Sequence, residues 1–188
     1  YKPSSHAHYG TSVAVGFGKI VVGSPGGNGE SYYYPKPAND DIDYAYGGVY
    51  LYDLNGRLIK LLRHPCQAGI STTICGYSIN YGCSVSISDG RIYVAASGYD
   101  NIGGTNYGRE GNVTVFDLNG NYLQSILNQE NPSIGPQFGA NVTSGCGRLA
   151  VHKRKTGGNN QTGEYYLYKV NKNFDSYFDD FIKNYKYY

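Results

Sequence analysis

The stretch VYLYDLNGRLIKLL (Val49–Leu62) is repeated further along the chain as VTVFDLNGNYLQSIL (Val113–Leu127). Each copy consists of an alternating apolar run, an Asp-Leu-Asn-Gly break and a second apolar run. Side chains alternate between the two faces of a strand, and Asn-Gly favours the positive φ angles of a tight type I′ turn. Each copy therefore predicts a β-hairpin, turning at Asn55-Gly56 and at Asn119-Gly120. Because an isolated hairpin is only marginally stable in water, we expect further strands beside it.

A second pattern precedes each hairpin, as YGTSVAVGFGKIVVGSP (Tyr9–Pro25) and YGCSVSISDGRIYVAAS (Tyr81–Ser97). Both begin with an aromatic-Gly pair and continue with a short Gly turn, a basic residue and an apolar run. A weaker third copy, FGANVTSGCGRLAVHK (Phe138–Lys153), precedes GEYYLYKV (Gly163–Val170). Each unit is therefore built from four strands. In the first unit the predicted strands are Ser12–Val15, Lys19–Gly23, Val49–Asp53 and Arg57–Leu62.

The spacing between units is uneven although the strand lengths are constant, so the variation lies in the connection between the second and third strands. Self-similar four-stranded units with short turns are typical of propeller blades. The sequence therefore predicts an all-β fold of three four-stranded antiparallel propeller-blade-like repeats in a single domain, 1–188. The predicted units are 9–62, 81–127 and 138–170.

The repeats resemble the FG-GAP repeat, the blade unit of integrin-α-type β-propellers. The pairs at 9–10, 81–82 and 138–139 stand where that family has Phe-Gly, and Gly23-Ser24-Pro25 stands where it has Gly-Ala-Pro. The short-turned form is similar to repeats of phage virion and fibre proteins and of other surface structural proteins. Many FG-GAP blades carry a calcium loop between their first two strands, but GFGK, SDGR and GCGR occupy that place here. This departure implies that the calcium site is absent.

Composition narrows the class of protein. The formal net charge is +2, and no run of Lys and Arg forms a basic stripe, which argues against a nucleic-acid partner. No apolar stretch approaches the roughly 20 residues that cross a bilayer, so we expect no membrane insertion. The chain begins with Tyr1 and contains no Met, which predicts a processed product or a fragment.

Tyrosine is unusually frequent, with 22 copies. Strand preference explains many of them, but it does not explain those in the long loop at 31–46. Tyr combines a rigid apolar ring with a polar tip, which suits wet interfaces. We therefore predict binding or assembly through this loop and its counterpart in the second unit, with disorder as the alternative. The predicted binding residues are Tyr32, Tyr33, Tyr34, Tyr44, Tyr46, Tyr99 and Tyr107.

The chain contains four cysteines, and repeats of this type are extracellular or virion-borne. Cys66 and Cys75 bracket one connection between units, which predicts a local disulfide, with Cys83 and Cys146 as free core thiols. The spacings contain no C-x2-C pair, which argues against a zinc site. Four free buried thiols are the alternative.

Motifs for catalysis are missing from the sequence. It contains no G-x-S-x-G, H-E-x-x-H or phosphate-cradling G-K-[ST] pattern. The acidic residues Asp40, Asp41 and Asp43 lack the spacing of a calcium loop and predict a solvated acidic loop. We therefore expect a protein that is not an enzyme and that uses no cofactor and no metal.

Three units fall short of the roughly four to eight blades of a closed ring. Closure by a second chain, membership of a longer repeat array, and a compact three-sheet prism are all open. In each case the first and last units expose apolar faces that need covering. The tail NFDSYFDDFIKNYKYY (Asn173–Tyr188) has apolar residues at spacings of three and four, which predicts an amphipathic helix packed on its own domain or on a neighbouring subunit.

The expected function is that of a non-enzymatic structural and binding module of a virion or cell-surface appendage, extracellular or on the virion surface. On this hypothesis, Tyr-rich loops make multivalent contacts in a fibre-like assembly, and the partners are further copies or other structural subunits. The alternative is a secreted lectin-like β-propeller that binds surface glycans between its blades.

Overall fold

The computed structural model describes residues 8–26, 47–65, 80–98, 111–127, 137–154 and 163–170, which form eleven strands in three antiparallel sheets. The first sheet holds β1 (Ser12–Gly16), β2 (Lys19–Ser24), β3 (Gly48–Asp53) and β4 (Leu58–Leu62). The second sheet holds β5 (Tyr81–Ser88), β6 (Arg91–Ala96), β7 (Asn112–Asp117) and β8 (Tyr122–Leu127). The third sheet holds β9 (Gln137–Gly145), β10 (Arg148–Arg154) and β11 (Gly163–Lys169). In every sheet, strands that are consecutive in sequence are hydrogen-bonded neighbours.

The predicted all-β repeats are confirmed for these residues, and each strand of the first unit begins and ends within one residue of its expected bounds. The third unit differs from the prediction, because its described part has three strands where four were expected. Its third strand is followed by Asn171-Lys172-Asn173, where the first two units have an Asp-Leu-Asn-Gly turn. The predicted tail helix lies outside the described residues, and closure into a propeller stays a prediction.

The Asp-Leu-Asn-Gly turns are not of type I′, so that prediction is wrong. A type I′ turn needs positive φ at both central residues, whereas only Gly56 (φ 77°) and Gly120 (φ 76°) have it in these loops. Asp53 determines the observed shape: its carbonyl oxygen accepts the Gly56 N–H at 3.1 Å, and its carboxylate accepts the N–H groups of Asn55 and Arg57 at 3.0 and 2.9 Å. The result is a three-residue loop with a left-handed Gly at its end.

The second copy of this turn repeats the same bonds. The Asp117 carboxylate accepts the N–H groups of Asn119 and Asn121, both at 2.8 Å. Burial on its own would raise the pKa of Asp117, but the N–H groups of Asn121 and Asn119 outweigh it and hold that pKa below its usual range. The pKa of Asp53 is lowered as well, chiefly by the Arg57 N–H. These hydrogen bonds to the carboxylate explain why Asp, and not only Asn-Gly, recurs in both hairpin turns.

Type I′ geometry occurs instead at the turn between the first and second strands of each unit. Both central residues have positive φ at Phe17-Gly18, Asp89-Gly90 and Cys146-Gly147. Such turns match the right-handed twist of the strands that they join. A basic residue follows each of them, at Lys19, Arg91 and Arg148.

The second sheet lies between the other two and packs on both. Consecutive residues of β6 point to opposite sides, so that Ile92 and Val94 face the first sheet while Tyr93 and Ala95 face the third. All four side chains are buried, which explains why β6 reads as a continuous apolar run. The first cluster includes Val21, Val49, Leu51, Leu62, Val85 and Phe116, and the second includes Val113, Val115, Phe138, Val142, Leu149 and Val151.

The aromatic-Gly pairs form the junctions between units. Gly82 has φ +88°, and a Cβ placed on it would lie 2.8 Å from the Gly48 carbonyl oxygen of the first sheet. Gly139 has φ +75°, and its Cβ would lie 2.6 Å from the Asn112 carbonyl oxygen of the second sheet. Only Gly allows both this backbone conformation and this close approach. The aromatic partners of these glycines, Tyr81 and Phe138, are fully buried.

A buried histidine completes the first junction. His64 follows β4, is only 2% exposed, and packs edge-on against Tyr81 with ring centroids 5.3 Å apart. Asn112 Nδ2 donates a hydrogen bond to His64 Nε2 at 2.8 Å. Burial lowers the pKa of His64 to about 4, because an imidazolium is poorly solvated there. This side chain therefore serves the junction as a neutral hydrogen-bond acceptor.

The junction glycines lead to a stability prediction. We expect Gly139→Ala to destabilise the fold by about 3 kcal/mol or more, because it adds both backbone strain and a clash with the Asn112 carbonyl. Gly10→Ala is the matched control, since Gly10 has φ +87° but a Cβ there meets nothing within 4 Å. The control should cost only the strain, about 1 kcal/mol. Urea denaturation measures both, and equal losses would contradict the assigned close approach.

His64 predicts an acid-sensitive junction. Its pKa is about 4 in the fold against 6.5 for an ordinary histidine, so the unfolded chain binds the proton first. Stability that is present above about pH 6.5 is therefore lost as the pH falls towards 4, by up to about 3 kcal/mol. His64→Gln should remove this part of the pH dependence in urea denaturation curves. The control is His152→Gln, which should change the acid slope less, because burial also lowers the pKa of His152 but that side chain is only half-buried. An unchanged acid slope in the His64 variant would refute the assignment.

Candidate interaction surface

The residues predicted to bind partners all lie outside the described part of the chain, so their role stays a prediction. They are Tyr32, Tyr33, Tyr34, Tyr44, Tyr46, Tyr99 and Tyr107. The predicted disulfide partners, Cys66 and Cys75, lie outside it as well. The candidate site is therefore sought on the sheets themselves.

The two described cysteines are free, but only one lies in the core. Cys83 is half-buried at the second junction, where its Sγ lies 3.7 Å from the Ala95 carbonyl oxygen and 3.6 Å from that of Gly139. Burial raises the pKa of its thiol. Cys146 is exposed at the tip of a type I′ turn, so the prediction of a core thiol is wrong for this residue.

The outward face of the first sheet, here called the first-sheet end face, points away from the second sheet. Cross-strand pairing defines it, because directly paired residues share a face. Two rows of apolar side chains cross this face from β1 to β4. The rows are Val13-Val22-Tyr50-Leu61 and Val15-Ile20-Tyr52-Leu58.

Burial differs sharply between β1 and its counterparts in the later units. Val13 is 57% exposed, whereas Val85 and Val142, at the same place in the aligned repeats, are 8% and 4% exposed. Val85 packs against the first sheet and Val142 against the second. Val15 follows the same trend at 64% exposed, while its counterpart Ile87 packs into the first cluster. The valine position that is buried at both internal junctions is therefore exposed on the first-sheet end face.

The hairpin tip of the first unit shows the same contrast. Leu54 is 63% exposed, whereas its counterpart Leu118 packs against the cluster between the first and second sheets. A Cβ on Gly120 would meet the Leu62 side chain at 2.6 Å, but one on the equivalent Gly56 meets nothing within 4 Å. The hairpin of the second unit thus lies on the first sheet, whereas that of the first unit lies on no other sheet among the described residues.

Tyr9 covers part of the first-sheet end face. Its ring stands edge-on to Tyr50 with centroids 5.1 Å apart, and its hydroxyl donates to the Tyr52 hydroxyl at 2.9 Å. Tyr9 is still 40% exposed, whereas its counterparts Tyr81 and Phe138 are completely buried between sheets. The inner part of this face is therefore packed, and the strip along β1 is open to solvent.

Phe17 extends this open strip to the turn that follows β1. Its side chain is 57% exposed although its backbone has the left-handed φ of 51°. Asp89, its counterpart in the second unit, accepts the Gly147 N–H at 3.0 Å and so ties the second unit to the third.

The prediction that terminal units expose apolar faces is confirmed for the first unit. The alternating run SVAVG predicted a strand, but its period alone did not say which of its two faces lacks a neighbour. The aligned Val13, Val85 and Val142 carry the same side chain, so only their neighbours distinguish them. The sequence indicated an exposed face in one way only: this unit stands at the start of the repeat array, and a terminal repeat lacks a neighbour on one side.

The described residues contain no group of three or more His, Cys, Asp or Glu side chains that could hold a metal ion. Nor does this part of the chain contain a helix of the length and hydrophobicity needed to cross a membrane. A scan against protein-family models finds no match, and a search of curated proteins finds no significant relative. The likeness to FG-GAP repeats therefore stays a prediction.

The burial contrast can be checked with one substitution made at three equivalent positions. Val85→Ala and Val142→Ala should each destabilise the fold by about 2 kcal/mol, through lost burial and the cavity left behind. Val13→Ala should cost about 0.5 kcal/mol or less, because that side chain is mostly in water. Denaturation of dilute, monomeric protein measures all three. A loss at Val13 as large as at Val85 would show that β1 is covered.

Proposed function

We propose that the protein is a non-enzymatic assembly module, a rigid stack of sheets that binds another protein surface through the first-sheet end face. The observation that carries the proposal is the exposure of Val13, whose counterparts Val85 and Val142 are buried, together with that of Val15, whose counterpart Ile87 packs against the first cluster. Exposed apolar side chains grouped on one strand favour association, because contact removes them from water.

The energetics favour a protein partner over a small polar ligand. Burying one valine side chain contributes about 1.5 kcal/mol or more. Val13, Val15, Phe17 and Leu54 are all more than half exposed. These side chains are held by a strand and two tight turns, so their backbone needs little further ordering on binding.

Placement on a virion or a cell-surface appendage is part of the proposal and rests on the likeness to FG-GAP repeats of virion and surface proteins. Repeated sheets joined by close glycine contacts supply the rigidity that such a structure needs. On this proposal the partners are further copies or other structural subunits, and the Tyr-rich loops supply additional contacts.

Light scattering of the full chain over a range of concentrations tests the proposal. We expect the wild-type protein to associate and Val15→Asp to weaken that association about 100-fold, because a carboxylate would be trapped in an apolar contact. Leu123→Asp is the matched control, since Leu123 is also exposed but lies on β8 of the middle sheet. A wild-type chain that stays monomeric at every concentration, or equal effects of both variants, would overturn the proposal.

A further inference from the structure

The opposite end of the stack also exposes positions that the internal junctions bury. Tyr165 and Leu167 lie on β11, where they are 48% and 37% exposed. Their counterparts in the second unit are Val113 and Val115, and those in the first unit are Val49 and Leu51. All four counterparts are 0% exposed. The outward face of the third sheet, here called the third-sheet end face, therefore has an open apolar strip of its own.

Cross-strand pairing defines this second face. Leu167 pairs with Ala150, which pairs with Thr143, and Tyr165 pairs with His152, which pairs with Asn141. The His152 ring stacks on Tyr165 with centroids 4.8 Å apart and an interplanar angle of 27°. Val151 and Tyr166, on the other face of the same strands, belong to the cluster shared with the second sheet. Among the described residues, the third sheet thus packs on the second sheet through one face, and no other sheet covers its opposite face.

Both internal junctions join the same two kinds of face. At the first junction, Val85 of the second sheet packs in one cluster with Val49 and Leu51 of the first sheet. At the second junction, Val142 of the third sheet packs in one cluster with Val113 and Val115 of the second. The face that carries the β1-type valine always meets the face that carries the inner residues of the third strand.

The two ends of the stack present the two kinds of face that meet at each internal junction. On the first-sheet end face the β1-type valine, Val13, is 57% exposed. On the third-sheet end face the third-strand residues Tyr165 and Leu167 are 48% and 37% exposed. A second copy offers the same kind of face as a neighbouring unit of one chain, because each face is formed by the residues of a single repeat.

We infer that the third-sheet end face of one copy docks on the first-sheet end face of a second copy, head to tail, as a continuation of the two internal junctions. This inference rests on the proposed function and names its partner as the chain itself. The contact is heterologous, so each added copy again presents one face of each kind until the assembly closes. It places Val13 and Val15 of one copy against Tyr165 and Leu167 of the next.

The test uses two full-length variants, each blocked at one end. Val15→Asp blocks the first-sheet end face, and Leu167→Asp blocks the third-sheet end face. Each variant alone has no complementary pair of faces and is expected to stay monomeric, with self-association weakened about 100-fold or more relative to the wild type. An equimolar mixture is expected to form a 1:1 heterodimer and nothing larger, because only one intact pair of faces remains. Sedimentation velocity with one variant fluorescently labelled distinguishes these species.

Three outcomes would overturn the inference. If Leu167→Asp alone still associates, the first-sheet end face pairs with itself, and the proposed function stands without this partner. If each variant and their mixture stay monomeric while the wild type associates, both faces contribute to association but do not pair with each other. A wild-type chain that is itself monomeric removes the proposed function as well as the inference. Urea denaturation of each variant verifies folding, and Tyr165→Asp replaces Leu167→Asp if the latter does not fold.

Discussion

The close backbone approach at the aromatic-Gly pairs is the constraint on which the architecture depends. Gly82 and Gly139 let one unit's backbone reach within contact distance of the third strand of the unit before it. Because a Cβ would not fit, the distance between sheets at these points is set by backbone atoms and not by adaptable side chains. The rings of Tyr81 and Phe138 then fill the space beside each contact. This combination makes the spacing of the units reproducible.

Reproducible spacing explains why the faces of the sheets have fixed roles. At each internal junction the later sheet contributes its β1-type valine and the earlier sheet contributes its third-strand residues. The middle sheet uses both faces and is therefore apolar on both, as β6 shows. Among the described residues, each outer sheet packs on the middle sheet through one face. On the proposed function, the other face of each outer sheet is an interaction surface that follows from the repeat itself.

Side-chain chemistry adds features that the repeat pattern does not require. His64 is a neutral acceptor for Asn112 at the first junction, where an imidazolium would be poorly solvated. The second junction instead uses Cys83 near two carbonyl groups, and the Asp89 carboxylate bound to the Gly147 N–H. The two junctions share backbone geometry and apolar packing but differ in their polar contacts. The same backbone arrangement is therefore compatible with different polar contacts at the two junctions.

The sequence by itself determined the strands, their order and the division into units, because alternation and turn residues are local signals that need no neighbour. It also predicted open apolar faces at the ends of the array, although it assigned binding to Tyr-rich loops that lie outside the described residues. Tertiary structure decided what depends on contacts distant in sequence. It showed that Asp53 and Asp117 shape the hairpin turns, that type I′ geometry lies at Phe17-Gly18 and its counterparts, and that Val13 is open where Val85 and Val142 are buried. These three valines have the same local pattern, so only the presence or absence of a neighbouring sheet could separate a buried residue from an exposed one.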